Sequence, residues 1–154
     1  MKNPNKPARQ NHVRIALVEM VSVRLPDVQG AVPISTYQLP GGRWSKLMSL
    51  VLNVDNTSGG NTCTIMLQVN RSGLFFLLAR TDPPLTAFGW DGQVAFGIGA
   101  QSQHVPLDSY SSTQLPDTWL PPDSQLIVTT GGLDRTAQLQ GISAQFMIAT
   151  PEQF

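Results

Sequence analysis

The segment that decides the fold class is "LMSLVLNVDNTSGGNTCTIMLQV", from Leu47 to Val69. Two runs of alternating apolar and polar residues flank a polar stretch with two glycines, and Asp55 is the one charged residue in the segment. Alternation with a period of two is typical of a β-strand that buries one face. The polar stretch is too long for a two-residue turn, but its glycines allow positive φ angles. The segment therefore predicts a β-hairpin of two half-buried strands.

The same period continues through the rest of the chain. Residues 13–25 alternate with apolar residues on both faces, which predicts a strand that is central or covered on its second face. A short edge strand is expected around Ile34–Gln38, and "LFFLLAR" at residues 74–80 predicts a strand buried on both faces. Further strands are predicted from "GQVAFGIGA", "SQLIVTT" and "AQLQGISAQFMIAT". The sequence contains no capped apolar stripe with helical spacing, so an all-β chain is expected.

About eight short strands with turns between them predict an antiparallel β-sandwich, most simply a jelly roll, formed as a single domain by residues 13–154. Immunoglobulin-like connections would give a similar pattern of strands along the sequence, so the order of the strands in the sheets stays open. Residues 1–12 are polar and rich in proline and asparagine, and they predict a flexible or extended N-terminal arm.

The composition favours a protein that works inside an assembly. Charged residues make up 13% of the 154, about half the usual share of ~25%, and the net charge is zero. A neutral surface with few charges resists self-association poorly. Up to Arg80 the chain holds nine basic and three acidic residues, and after it one basic and seven acidic. Either the two halves interleave in one sandwich, or a basic end of one subunit meets an acidic end of its neighbour.

Two regions supply candidate interface residues. The stretch 100–122 reads as a long loop with aromatic residues, which either anchor an interface or plug the end of the sandwich. The cations of the arm are weak evidence for nucleic-acid binding, because no aromatic residues accompany them, and the arm could equally lie across a neighbouring subunit. The candidates are Lys2, Lys6, Arg9, Trp90, Tyr110 and Trp119.

The sequence predicts no enzyme, no catalytic residue, no metal site and no cofactor. Motifs for nucleotide binding, hydrolase nucleophiles and zinc are absent from it. A hydrolase would have to use His104 with Asp108, or another carboxylate, in a cleft. Cys63 is the single cysteine, so an intrachain disulfide is excluded, and its place on the alternating face predicts a small buried side chain.

No membrane span or secretory signal is expected. No apolar run reaches the ~18–20 residues of a membrane-crossing helix, and the first 12 residues lack the apolar core of a signal peptide. The chain is therefore expected to be made and kept in a cytoplasm unless cell lysis releases it.

Three segments carry a resemblance to a known group of proteins. "VLNVDNTSGGNTCTIMLQV" at residues 51–69, "LPPDSQLIV" at residues 120–128 and the strand "QFMIAT" at residues 145–150 are similar to the small jelly-roll or β-sandwich accessory proteins of tailed-bacteriophage virions. Asp123 stands where glycine is more usual in that group. The resemblance covers about 110 residues, from Trp44 onward, and brings no catalytic residues with it.

The resemblance implies a structural virion protein that decorates and stabilises a capsid, or a collar or tail adaptor. It further implies contacts with other virion proteins such as the major capsid protein, and a symmetric homo-oligomer such as a trimer. The residues themselves leave one further alternative, a carbohydrate-binding sandwich with Trp44, Trp90 or Trp119 on an exposed face.

Overall fold

A computed structural model of the chain describes residues 15–28, 34–55, 64–82, 85, 91–101, 103–105, 110–131 and 138–151. Within these ranges the protein is all-β, as predicted, and no helix occurs. The ten strands are β1 Ile15–Arg24, β2 Ile34–Gln38, β3 Trp44–Asp55, β4 Thr64–Arg71, β5 Leu74–Arg80, β6 Asp91–Ile98, β7 Gln103–Val105, β8 Tyr110–Leu115, β9 Gln125–Gly131 and β10 Gln138–Pro151.

The strands form two sheets that pack as a β-sandwich. One sheet has six strands in the order β1-β10-β3-β6-β8-β7, and the other has four in the order β2-β9-β4-β5. Neighbouring strands are antiparallel except for β6 and β8, which run parallel. Strands from both halves of the chain occur in both sheets, so the basic and acidic halves interleave.

Four of the strand pairs are nested, which means that each pair encloses the next one along the chain. β1 pairs with β10, β2 with β9, β3 with β6 and β4 with β5. Along this nested order the sheets alternate: the pairs β1–β10 and β3–β6 lie in the six-stranded sheet, and the pairs β2–β9 and β4–β5 lie in the four-stranded sheet. β7 and β8 extend the larger sheet beyond β6.

The core lies between the sheets and is made of side chains that alternate along the strands. Leu50 and Leu52 of β3 and Phe96 of β6 are buried from the larger sheet, and Leu67 of β4 is buried from the smaller one. Tyr37 of β2 stacks on Phe146 of β10 across the two layers, with ring centroids 5.6 Å apart. Two half-apolar sheets can bury their apolar faces only against each other, which explains the layered fold.

For the predicted hairpin at residues 47–69, the buried face of each strand is confirmed, but the predicted pairing of the two strands is wrong. Leu50, Leu52 and Val54 are buried on one strand and Ile65, Leu67 and Val69 on the other, as the alternation predicted. However, β3 pairs with β10 and β6, and β4 pairs with β5 and β9. The alternation fixes which side chains point inward, but not which strand lies alongside. Eight residues separate the strands, enough chain to cross the ~10 Å between packed sheets.

Three further predictions can be compared with the strand positions. β2 is an edge strand, which confirms the prediction for Ile34–Gln38. β1 is also an edge strand, with Val18 and Met20 48% and 56% exposed, so the expected central or covered position is wrong. The stretch 100–122 is not a continuous loop, because β7 and β8 form within it. The arm at residues 1–12 and Cys63 lie outside the described residues.

A candidate interaction surface at the edge of the four-stranded sheet

A tight turn places β5 at the edge of the smaller sheet. Ser72 and Gly73 have φ angles of 53° and 80°, and Arg71 and Leu74 face each other across them. Two positive φ angles are typical of a type I′ turn, whose twist suits a β-hairpin. The Gly73 N–H also donates a hydrogen bond to Asn70 Oδ1 at 3.1 Å. The sequence "NRSG" therefore holds β5 firmly against β4.

β5 exposes four consecutive apolar side chains. Leu74, Phe75, Phe76 and Leu77 are 75%, 62%, 44% and 50% exposed, and we call them the apolar edge. Among the described residues, β5 pairs with β4 alone. The prediction that residues 74–80 are buried on both faces is therefore wrong. A continuous apolar run predicts burial, whereas the place of the strand in the sheet decides its exposure.

The apolar edge is large for a surface feature of a small domain. With about 200 Å² for an apolar side chain of this size, the four exposed fractions amount to about 460 Å². Patches of ~300–600 Å² are the largest on typical monomers and are often functional. Natural edge strands are usually shortened, charged or covered, because their unpaired backbone groups attract other strands. Here Arg71 and Arg80 flank the four residues, and no charge interrupts them.

On the described positions of β2, β4 and β9 the outer face of the same sheet carries no charged residue, and on β5 Arg80 lies beside Met66 on this face. Gln68 and Asn70 of β4 lie beside Leu77 and Phe75 on this face, and Ile127 of β9 lies beyond Gln68. Alternation along the strands assigns the following described residues of β2, β4 and β9 to it, of which Ile127 is itself buried: Ile34, Thr36, Gln38, Thr64, Met66, Gln68, Asn70, Gln125, Ile127 and Thr129. The centres of protein interfaces are depleted in charge in the same way.

Trp119 makes an internal contact in this structure. Its side chain is half-buried, and Lys46 Nζ lies 4.7 Å from the centroid of its ring. Lys46 also forms an ion pair with Asp117 at 2.5 Å. Next to this cluster, the backbones of Ser45 and Leu120 exchange hydrogen bonds of 3.0 and 2.6 Å. Trp119 therefore helps to hold residues 116–120 against β3.

The other predicted interface residues are spread over the chain. Tyr110 is half-buried at the start of β8, in register with Gln93 of β6 and Val105 of β7. Lys2, Lys6, Arg9 and Trp90 lie outside the described residues. The apolar edge was missed as a site, although "RSGLFFLLAR" carried a usable signal. That signal is an uncharged apolar run directly after a turn, with an arginine at each end.

Within the described ranges, no group of three His, Cys, Asp or Glu residues is placed to hold a metal ion. His104 belongs to the short strand β7, and Asp108 lies outside the described residues. No helix in the described part of the chain is long and apolar enough to cross a membrane. Trp44, at the start of β3, is 40% exposed.

No protein-family model matches the sequence, and no curated protein is significantly similar to it.

Proposed function

We propose that the protein is a structural virion subunit that decorates and stabilises a capsid through contacts between subunits. The observation that carries the proposal is the apolar edge, four apolar side chains that the described part of the chain leaves uncovered. An exposed apolar edge strand promotes association with another chain. Such a surface is expected in a subunit whose function is to bind neighbouring subunits.

The strand order supports the same proposal. A long β-ribbon that folds over on itself gives nested antiparallel pairs that alternate between two sheets. The four nested pairs have this arrangement, and we therefore infer that the sandwich is a jelly roll. Jelly rolls are frequent in viral capsid proteins and in lectins. Because one fold hosts many functions, the strand order supports the proposal only together with the surface.

The low charge of the chain agrees with this role. The outer face of the smaller sheet has no charged residue among the described positions of β2, β4 and β9. A partner that covers these three strands removes no ion of theirs from water, which avoids the largest cost of desolvation. A collar or tail adaptor would use the same surface chemistry, so the proposal extends to either position in the particle.

Quantification of the chain in purified particles tests the proposal. Particles are isolated on a density gradient from lysates in which the chain is produced, and the chain is measured in them by mass spectrometry. We expect a fixed number of copies per particle, and at least tenfold fewer for Phe75→Glu. The control Met20→Glu alters an equally exposed residue on the edge of the other sheet and should leave the copy number unchanged. A folded chain that stays entirely in the soluble fraction would exclude a virion role.

One observation favours a second candidate, a carbohydrate-binding module. The Trp44 ring is 40% exposed at the start of β3, and exposed tryptophan rings can stack on sugar rings. Titration of the protein with a panel of glycans, followed by tryptophan fluorescence, tests this candidate. A saturable change that Trp44→Ala removes would favour it, and a flat response across the panel would exclude binding at Trp44.

A further inference from the structure

We propose that the apolar edge joins two copies of this chain, with β5 of one copy antiparallel to β5 of the other across a two-fold axis at Phe76. The inference deepens the proposed function, on which it rests, because it names the surface through which subunits would meet.

The backbone of β5 indicates that the partner is a β-strand. The hairpin is closed by the pair Arg71 and Leu74, and along an antiparallel ladder hydrogen-bonded and non-hydrogen-bonded pairs alternate. The N–H and C=O groups of Phe75 and Leu77 are therefore expected to point away from β4. Backbone groups on an open edge pair with another strand. A lipid phase could not satisfy them, since hydrocarbon offers no hydrogen-bonding groups.

The order of side chains favours a second copy of β5 as that strand. In a two-fold antiparallel pair centred on Phe76, Phe76 faces its own copy, Phe75 faces Leu77, and Leu74 faces Leu78. Every residue of the apolar run then meets an apolar residue.

A centre on Phe75 would place Leu77 opposite Gly73, and a centre on Leu77 would place Leu74 opposite Arg80. The run is therefore self-complementary in one register.

The flanking charges fit the same register. With the centre on Phe76, Arg80 of one copy lies opposite Ser72 of the other, and Arg71 lies opposite Thr81. No arginine is directly opposite another, so like charges in facing positions do not oppose the pair. The two-fold axis is normal to the sheet, so the outer faces of the two copies become one continuous eight-stranded surface, on which Arg80 of each β5 is a charged residue.

The area agrees with a reversible dimer. The four side chains of both copies together would remove about 920 Å² from water, twice the area of one apolar edge. The paired backbones and the flanking residues add to this, and stable interfaces begin at about 1,200 Å² of total buried area. The contact thus falls at the small end of specific interfaces, which predicts a dimer that dissociates on dilution.

Disulfide cross-linking tests the register directly. Phe76 would face its copy at a non-hydrogen-bonded position, where Cβ atoms are ~4.5–5.5 Å apart, close to the separation that a disulfide needs. In a Cys63→Ser background, Phe76→Cys should form a covalent dimer under mild oxidation. Met20→Cys, on the exposed edge of the other sheet, should not. Equal cross-linking of both variants, or none for Phe76→Cys, would overturn the proposal.

Mass measurement by light scattering over a dilution series separates this inference from the proposed function. We expect a dimer, or a multiple of it, whose dissociation constant rises at least tenfold with Phe75→Glu and is unchanged with Met20→Glu. A trimer that is insensitive to Phe75→Glu would overturn pairing through β5 but leave a symmetric virion subunit intact. A monomer at every concentration would also overturn it, and the particle experiment would still decide the virion role.

Discussion

Two buried serines show how single polar groups affect the stability of this sandwich. Ser35 and Ser45 are 2% and 0% exposed. The Ser35 hydroxyl donates a hydrogen bond to the Pro26 carbonyl oxygen at 2.6 Å, whereas the Ser45 hydroxyl has no partner in the structure described. A buried polar group without a partner loses its hydration and gains nothing in return.

The two serines give a matched prediction. Ser45→Ala should raise the free energy of unfolding by about 1 kcal/mol, because it removes an unsatisfied hydroxyl, and Ser35→Ala should lower it by about 1 kcal/mol. Urea unfolding followed by circular dichroism measures both. A loss of stability for Ser45→Ala as large as that for Ser35→Ala would show that the Ser45 hydroxyl does find a partner.

Asp123 is a second residue whose backbone makes a clear prediction. Its φ angle is 62°, in the left-handed region where a side chain costs roughly 1–2 kcal/mol and glycine costs little. Asp123→Gly should leave stability unchanged or raise it by up to about 1 kcal/mol, and Asp123→Ala should lower it by about 1 kcal/mol. Thermal unfolding of both variants checks the order, and equal effects would contradict it.

At the scale of elements, the contact between β3 and residues 116–120 can be measured as a coupling energy. Lys46 lies over the Trp119 ring at 4.7 Å, and its side chain is 17% exposed. A cation–π contact of this kind contributes about 0.5–2 kcal/mol. A double-mutant cycle with Lys46→Met and Trp119→Leu should give a coupling energy in that range.

The same cycle has an internal control. Asp117 is 66% exposed, so its ion pair with Lys46 is screened by solvent and should contribute ~0–1 kcal/mol. Asp117→Asn should therefore cost less than Trp119→Leu, and raised salt should reduce only the Asp117 effect. Additive effects of Lys46→Met and Trp119→Leu would mean that the ring and the ammonium group do not interact.

Individual strands show what the sequence could predict and what it could not. The alternation at Leu50, Leu52 and Val54 correctly identified the buried face of β3, because the period of a strand is a local property. The partner of β3 is β10, far along the chain, and no local pattern carries that information. The apolar edge shows the same limit, since an apolar run looks alike in the centre of a sheet and at its edge. For this reason, the class of fold was predictable, whereas for the candidate site the sequence supplied only an uncharged apolar run between two arginines, which does not establish its exposure.

At the scale of the whole molecule, the nested strand pairs predict slow folding. β1 and β10 pair across almost the full length of the described chain, and contacts of such long sequence separation must close large loops before they stabilise anything. We expect refolding on dilution from urea to take milliseconds to seconds or longer, as in other all-β sandwiches. Stopped-flow tryptophan fluorescence measures the rate, and complete refolding within microseconds would contradict the nested topology.

The position of β10 between β1 and β3 has a consequence for biosynthesis. A ribosome adds about 5–20 residues each second, so β1 waits several seconds before its neighbour is translated. During that time β4 and β5 can already form their hairpin, because the turn between them is local. Nascent chains on one polysome would therefore display the apolar edge before the larger sheet can close. A protein built in this way depends on chaperones, or on low local concentration, to keep neighbouring nascent chains apart until each one is complete.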